Sequence, residues 1–282
     1  MRTVAIRLIW AIVGVATITA STVLAVHGIS TYGLGDQNPY VQPVRTFTVT
    51  GTITSVTVQS YGDPVWVTAG NVKQVRVSET VDYDPQQNSS PPLEQTVSHG
   101  HLTLGDPSCF YGNYNCDVSY SVIVPHGVSA TVQSFGGNVT LAGTAGANVD
   151  SYGGAVTATR IAGPLTVSTG GGPLLVNGLT GALSADTAGG PLDGTALTAA
   201  VVTAITGGGD TRLVFSAAPD QVMASTDGGA AVLALPGGPY ALSASDDQGG
   251  TTVHVPVSVT SRRLITVNTG GGTILIAPLP GW

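Results

Sequence analysis

VDSYGGAVTAT, residues 149–159, sets a glycine pair between two short runs of alternating apolar and small polar residues. The pattern returns as VQSFGGNVTL, VSTGGGPLLV and VNTGGGTILI. Anchored on the second glycine, the copies fall at Gly137, Gly154, Gly172, Gly190, Gly209, Gly229, Gly250 and Gly272. Their spacings are 17, 18, 18, 19, 20, 21 and 22 residues, lengthening steadily as if each unit were slightly wider than the last.

Columns appear once the copies are aligned. Val132, Val149, Val167, Ala185, Ala204, Ala224, Ala244 and Val267 form an apolar column before the glycine. Two residues earlier runs a second: Ala130, Ala147, Leu165, Leu183, Val202, Val222, Leu242 and Ile265. The position between them is polar in every copy except that of Met223. This is the period-two alternation of a strand with one buried face. Three residues before the glycine stand Ser134, Ser151, Thr169, Thr187, Thr206, Thr226, Asp247 and Thr269, nearly a pure hydroxyl column. A second strand follows the glycines, carried by Val139 and Leu141, Val156 and Ala158, Leu174 and Val176, and Ile274 and Ile276. In two copies the apolar set shifts to Leu213 with Phe215 and Leu233 with Leu235, and after Gly190 it is weak.

One such unit cannot bury its apolar face alone, whereas stacked units share a continuous core. The sequence therefore predicts an all-β chain, a β-solenoid of about eight or nine coils. The glycines are expected at tight corners, where a positive φ excludes a Cβ. A sandwich or barrel of hairpins is the alternative architecture.

Composition agrees. Charged residues make up only 9% of the 282, and glycine contributes 39. The formal net charge is −7; leaving out Arg2 and Arg7, 7 basic residues stand against 16 acidic ones, or −9. That balance argues against nucleic acid as a partner.

The N-terminus, MRTVAIRLIWAIVGVATITASTVLAVHG, sets two arginines before an uncharged run from Leu8 to Val26. Its length fits a retained transmembrane helix better than the shorter apolar core of a cleaved signal peptide. Secretion after cleavage behind Val23 and Ala25 is the alternative. Either way the arginines stay inside and the body is exported, so the expected location is the cell membrane with an extracytoplasmic C-terminal body. Export suits Cys109 and Cys116 in CFYGNYNC, whose turn-rich spacer predicts a disulfide across a tight loop. The expected organisation is an anchor or signal over 1–26, a linker over 27–44, N-terminal strands and a disulfide-bearing cap over 45–128, and repeats over 129–282. Within the third segment, TFTVTGTITSVTVQSYGDPVWV reads as a further unit, with Asp63 in place of the second glycine.

YSVIVPHGVSATVQSFGGNVTL, with Ile123, Val124, Pro125, His126 and Gly127 as its lead-in, opens the serial V-x-S/T-x-G-G units. It resembles the bacterial exported or membrane-anchored β-strand-repeat proteins of unknown function called "putative adhesins". The resemblance covers residues 45–277. It implies a solenoid-like body held at the envelope and no catalytic residues; the sequence itself predicts no cofactor.

Chemistry on such a scaffold would need clustered carboxylates, as acid and base or as calcium ligands. Four residues before the anchor stand Asp150, Asp186 and Asp246, two and then three coils apart, which reads as turn capping and solvation. His99 and His101 are expected on one strand face, with His126 as a third surface histidine rather than a metal ligand. Arg262 and Arg263 read as a solvated loop. The triple glycines lack the Lys-Ser/Thr and helix of a phosphate loop. No catalytic or metal residue is predicted. The expected function is non-enzymatic. A hydroxyl-lined face would meet an envelope component, whether a glycan, a lipid headgroup or a protein, through repeated weak contacts. A carbohydrate-active enzyme of the lyase or hydrolase type is the alternative.

Overall fold

The computed structural model describes residues 43–84, 93–105, 109 and 116–279. The first strands are β1 (Val44–Val49), β2 (Ser55–Ser60), β3 (Val65–Gly70), β4 (Val75–Tyr83), β5 (Glu94–Ser98), β6 (His101–Gly105) and β7 (Cys116–Pro125). The repeats supply β8 (Ser129–Ser134), β9 (Val139–Ala142), β10 (Ala147–Ser151), β11 (Val156–Thr159), β12 (Leu165–Thr169), β13 (Leu174–Asn177), β14 (Leu183–Asp186) and β15 (Leu192–Leu197). They continue with β16 (Val201–Ile205), β17 (Thr211–Phe215), β18 (Gln221–Ser225), β19 (Ala231–Leu235), β20 (Ala241–Ser245), β21 (Thr251–Val253), β22 (Leu264–Asn268) and β23 (Ile274–Pro278). Among the described residues no helix is long and apolar enough to cross a membrane. The anchor expected over 1–26 and most of the linker lie outside the described residues.

The strands form two large sheets, one of twelve strands and one of eleven. From β8 onward the even strands enter the eleven-stranded sheet and the odd strands the twelve-stranded one. Neighbours pair in parallel, in the register of the glycine-anchored columns. Val149 faces Val132 on one side and Val167 on the other, and Ser151 faces Ser134 and Thr169. The Asp63 unit joins the same stack, with Val56, Val58 and Ser60 opposite Ala130, Val132 and Ser134. Antiparallel pairing is confined to β1 with β4, β4 with β7, and β5 with β6, at one end.

The core lies between the sheets and is built from the two apolar columns and their counterparts past the corner. Val56, Val132, Val149, Leu165 and Leu174 are all fully buried. Where the pattern weakens after Gly190, Leu192 keeps its place beside Leu174, and Gly194 stands opposite Val176. A Cβ on Gly194 would lie 3.0–3.1 Å from Leu213 and Leu197, so those leucines fill the volume that its missing side chain leaves.

The two glycines of each corner serve different ends. The first holds a positive φ, such as 143° at Gly153 and 105° at Gly171. The second, at the anchor, is required by close approach: a Cβ on Gly172 would fall 2.3 Å from the Gly154 carbonyl oxygen, and one on Gly154 2.1 Å from that of Gly137. At Gly137, Gly154, Gly172, Gly190, Gly209, Gly229 and Gly272 positive φ therefore accounts for the preceding glycine and not for the anchor, whereas in the outermost copy the roles are exchanged, with φ 88° at Gly250.

At the C-terminal end the stacking order departs from chain order. Gly272 presses on Gly229, and it is Gly249, not Gly250, that presses on Gly272. The β22/β23 unit thus lies between the β18/β19 and β20/β21 units. The steadily lengthening spacing ends there, since stacked Thr226 and Thr269 are 43 residues apart. The anchor in the outermost copy shifts by one: Ser245 pairs with Asn268, which leaves Asp246 rather than Asp247 beside Thr269.

Candidate binding surface

The hydroxyl column was expected to line the outside, but it faces inward. Ser134, Thr169, Thr187, Thr206 and Thr269 are buried to within 1%. Each hydroxyl donates to the carbonyl of its own anchor glycine, at 2.7 Å for Ser134 to Gly137, 3.0 Å for Ser151 to Gly154 and 2.7 Å for Thr169 to Gly172. The column has the same parity as the two apolar columns, so it shares their face. Its hydroxyls satisfy the carbonyls of the bent corner, which would otherwise be buried without a donor.

The polar outer face is made instead by the residues between the apolar columns. Thr57, Thr131, Asn148, Thr166, Ser184 and Thr203 stand side by side across adjacent strands of the eleven-stranded sheet. Further along the face this polar file gives way to exposed Val201, Ile205, Met223 and Leu264.

One site on this surface has a specific geometry. The position just after the hydroxyl column turns outward at the corner. In three adjacent coils it holds Tyr61, Phe135 and Tyr152. Tyr61 and Phe135 stack with centroids 4.6 Å apart and 7° between planes; Phe135 and Tyr152 stack at 4.7 Å and 3°. These distances match the spacing of neighbouring strands, so the ladder follows from placing aromatic rings at one column. The end ring, Tyr152, is 66% exposed. The next coil puts Gly170 in that column and the one after it Ala188, so the stack ends at a depression of about 200 Å³. Asp150, Ser168 and Asp186 flank this hollow in register on neighbouring strands. The aromatic column was readable in the aligned sequence, where three of the copies share it, but it is diluted by small and polar residues such as Gly170, Ala188 and Asp227 in the others.

The carboxylates do not gather into one centre. Asp186 accepts from the Ala188 N–H at 3.1 Å, a turn cap. Asp246 lies outside the Asp150–Asp186 column and instead accepts from the Thr251 hydroxyl and then the Gly250 N–H, which together hold its carboxyl below the usual range. Asp63 is pushed up first by burial and then by repulsion from Asp117 and Asp82, and Asp117 first by burial and then by repulsion from Asp82. Among the described residues no three His, Cys, Asp or Glu side chains are grouped to hold a metal.

His99 and His101 do not share a strand face. His99 sits in the β5–β6 turn with φ 50°, while His101 on β6 bonds the Ser55 and Thr57 hydroxyls at 2.7 and 3.1 Å. Arg262 and Arg263 precede β22 in a turn. Cys109 and Cys116 form a disulfide with Cα atoms 5.1 Å apart.

This two-sheet, parallel-stacked all-β architecture has a counterpart among solved bacterial structures. A putative adhesin from Bacteroides fragilis superposes with a TM-score of 0.53 at 16% identity, over 85% of this chain and 97% of that one. A putative lipid binding protein from Parabacteroides distasonis gives 0.49 at 12% identity, over 84% and 96%. A putative adhesin from Parabacteroides merdae gives 0.39 at 12% identity, over 84% and 96%. At 16% identity the likeness to the first of these is one of fold alone. No family model and no curated protein matches the chain.

Proposed function

We propose that this chain is a non-enzymatic binding module of the cell envelope. Its body is a β-solenoid, each coil giving one strand to each sheet, held outside the cytoplasm by the apolar segment Leu8–Val26. The observation that carries the reading is the outer face of the eleven-stranded sheet. There, Thr131, Asn148, Thr166 and Ser184 repeat a polar contact at every strand. Such a surface suits weak contacts multiplied along an extended partner. The name of the Bacteroides fragilis structure that shares the fold, putative adhesin, supports a binding role over catalysis.

The hydrolase alternative has less behind it. Asp150 and Asp186 flank a common hollow but stand two strands apart, about 10 Å. That is about twice the carboxylate separation of retaining glycosidases and lies at the outer edge of the inverting range, and Asp186 already caps the Ala188 N–H.

The test joins location and binding in the full-length protein. Protease added to intact spheroplasts should digest the body and spare only the N-terminal segment. The purified chain should also cosediment with envelope material from the same cells. Complete protection from the protease, or no cosedimentation, refutes the proposal.

A further inference from the structure

We infer that the end of the aromatic stack is a sugar subsite, in which a neutral or amino-substituted pyranose ring takes the place of the missing fourth ring. This deepens the binding-module reading and rests on it. The stack advances one ring per coil, at 4.6 and then 4.7 Å. At the next coil the column holds Gly170, whose backbone lies against that of Tyr152. Above that backbone a side chain is missing, and the exposed Tyr152 ring faces a hollow floored by Gly170 and Ala188. The Tyr152 face is the negative face of an aromatic quadrupole, and it favours the polarised C–H face of a pyranose lying flat on it.

The rim selects among flat ligands. Asp150, Ser168 and Asp186 stand in register along one side of the hollow. Two carboxylates and a hydroxyl accept hydrogen bonds from ring hydroxyls, which radiate from the edge of a sugar stacked on Tyr152. The same carboxylates repel uronates, sulfated sugars and nucleotides, and an ammonium on an amino sugar would be drawn to them. A purely aromatic ligand would satisfy the ring and leave the rim unused. The combination of one apolar face and an edge of donors belongs to a pyranose.

The experiment titrates the full-length protein, kept in a zwitterionic detergent without a sugar headgroup, with four trisaccharides followed by saturation-transfer NMR and calorimetry. These are cellotriose, the N-acetylglucosamine trimer, the glucosamine trimer and the galacturonic acid trimer. At least one neutral or amino trimer should bind with a Kd of about 1 mM, the affinity that one stacking contact and a few hydrogen bonds sustain. The galacturonate trimer should not. Tyr152→Ala should weaken binding about tenfold, and Tyr152→Phe should keep it. Gly170→Tyr should add the fourth ring and abolish binding. Equal affinity for the uronate, wild-type affinity in Tyr152→Ala, or turnover of the bound sugar overturns the inference. If the wild type binds no trimer yet still cosediments with envelope material, the subsite fails and the module reading stands. If it does neither, both fall.

Discussion

Replacing Gly172 by alanine tests whether the stack, rather than the turn, dictates the second glycine of each corner. The added Cβ would lie 2.3 Å from the Gly154 oxygen and 2.8 Å from its carbonyl carbon. Both are backbone atoms, so no side chain can swing aside. Reaching the lower edge of ordinary contact, 3.4 Å, means opening the corner by 3.4 − 2.3 = 1.1 Å. Two inter-coil bonds flank the contact, Gly170 N–H to Ser151 at 2.7 Å and Val156 N–H to Pro173 at 2.9 Å. An opening of that size stretches both beyond useful geometry. Two lost bonds at about 1 kcal/mol each, plus about 1–3 kcal/mol of overpacking, give a destabilisation of about 3–5 kcal/mol. Gly171→Ala meets open space and bears only the strain of φ 105°, about 1–3 kcal/mol. Gly237→Ala has neither problem and should be neutral, or stabilising by about 0.4–1 kcal/mol. Because stacked coils can part locally, urea midpoints should be read beside amide exchange at Val156 and Gly170. The predicted order of damage is Gly172, then Gly171, then Gly237. A Gly172→Ala protein as stable as Gly171→Ala, with unchanged exchange at those amides, refutes the reasoning.

Other perturbations follow from the interior. Thr169→Val keeps the shape but removes the hydroxyl that reaches Gly172 at 2.7 Å and Thr187 at 3.3 Å. It should cost about 1–3 kcal/mol by urea titration, whereas Thr166→Val, on the outer face of the same strand, should change little. Glu79 is buried between Arg45 and Tyr120, and burial pushes its carboxyl up to about 7 against the lowering pull of Arg45. Unfolding therefore releases a proton, and stability should fall as pH rises from about 4.5 to about 7, then level off. The total loss is about 3 kcal/mol. Glu79→Gln should flatten that slope in urea midpoints measured across the window; an unchanged slope would assign it to another group. Reducing Cys109–Cys116 opens a short loop and should lower stability by about 2–3 kcal/mol, read as a shift in melting temperature under reductant.

The register was legible because stacking translates one coil onto the next, so sequence columns become rows of touching residues. Val132, Val149 and Val167 are neighbours in the aligned text and in the sheet. The inward turn of Ser134 and Thr169 was legible too, by parity, although hydroxyl chemistry suggested a surface. Coil order was not. Nothing in a linear alignment says which coil lies beside which, and the Gly249 and Gly250 pair fits either anchor. The histidines were misplaced because the turn at His99 and Gly100 breaks the alternation that would have set His99 and His101 on one face.

Burial explains the exchanged order at the C-terminal end. The β22/β23 unit carries Ile265, Val267, Ile274 and Ile276, all buried to within 1% in the observed position. The corresponding residues of the outer unit are Leu242 and Ala244, only half-buried, then Thr251 and Val253. Stacking in chain order would put the three isoleucines on the open end and the smaller, more polar set inside. Each fully buried isoleucine is worth about 1.5–3 kcal/mol over an exposed one, so the difference is several times the thermal energy. The outer unit is also the better edge. Its β21 has three residues, Thr251 and Thr252 are exposed, and Asp246 stands where inner coils carry a buried threonine. A short strand with a carboxylate at its corner is a poor template for further strands. The same sequence difference that makes this unit weak in the core therefore makes it fit to end the stack.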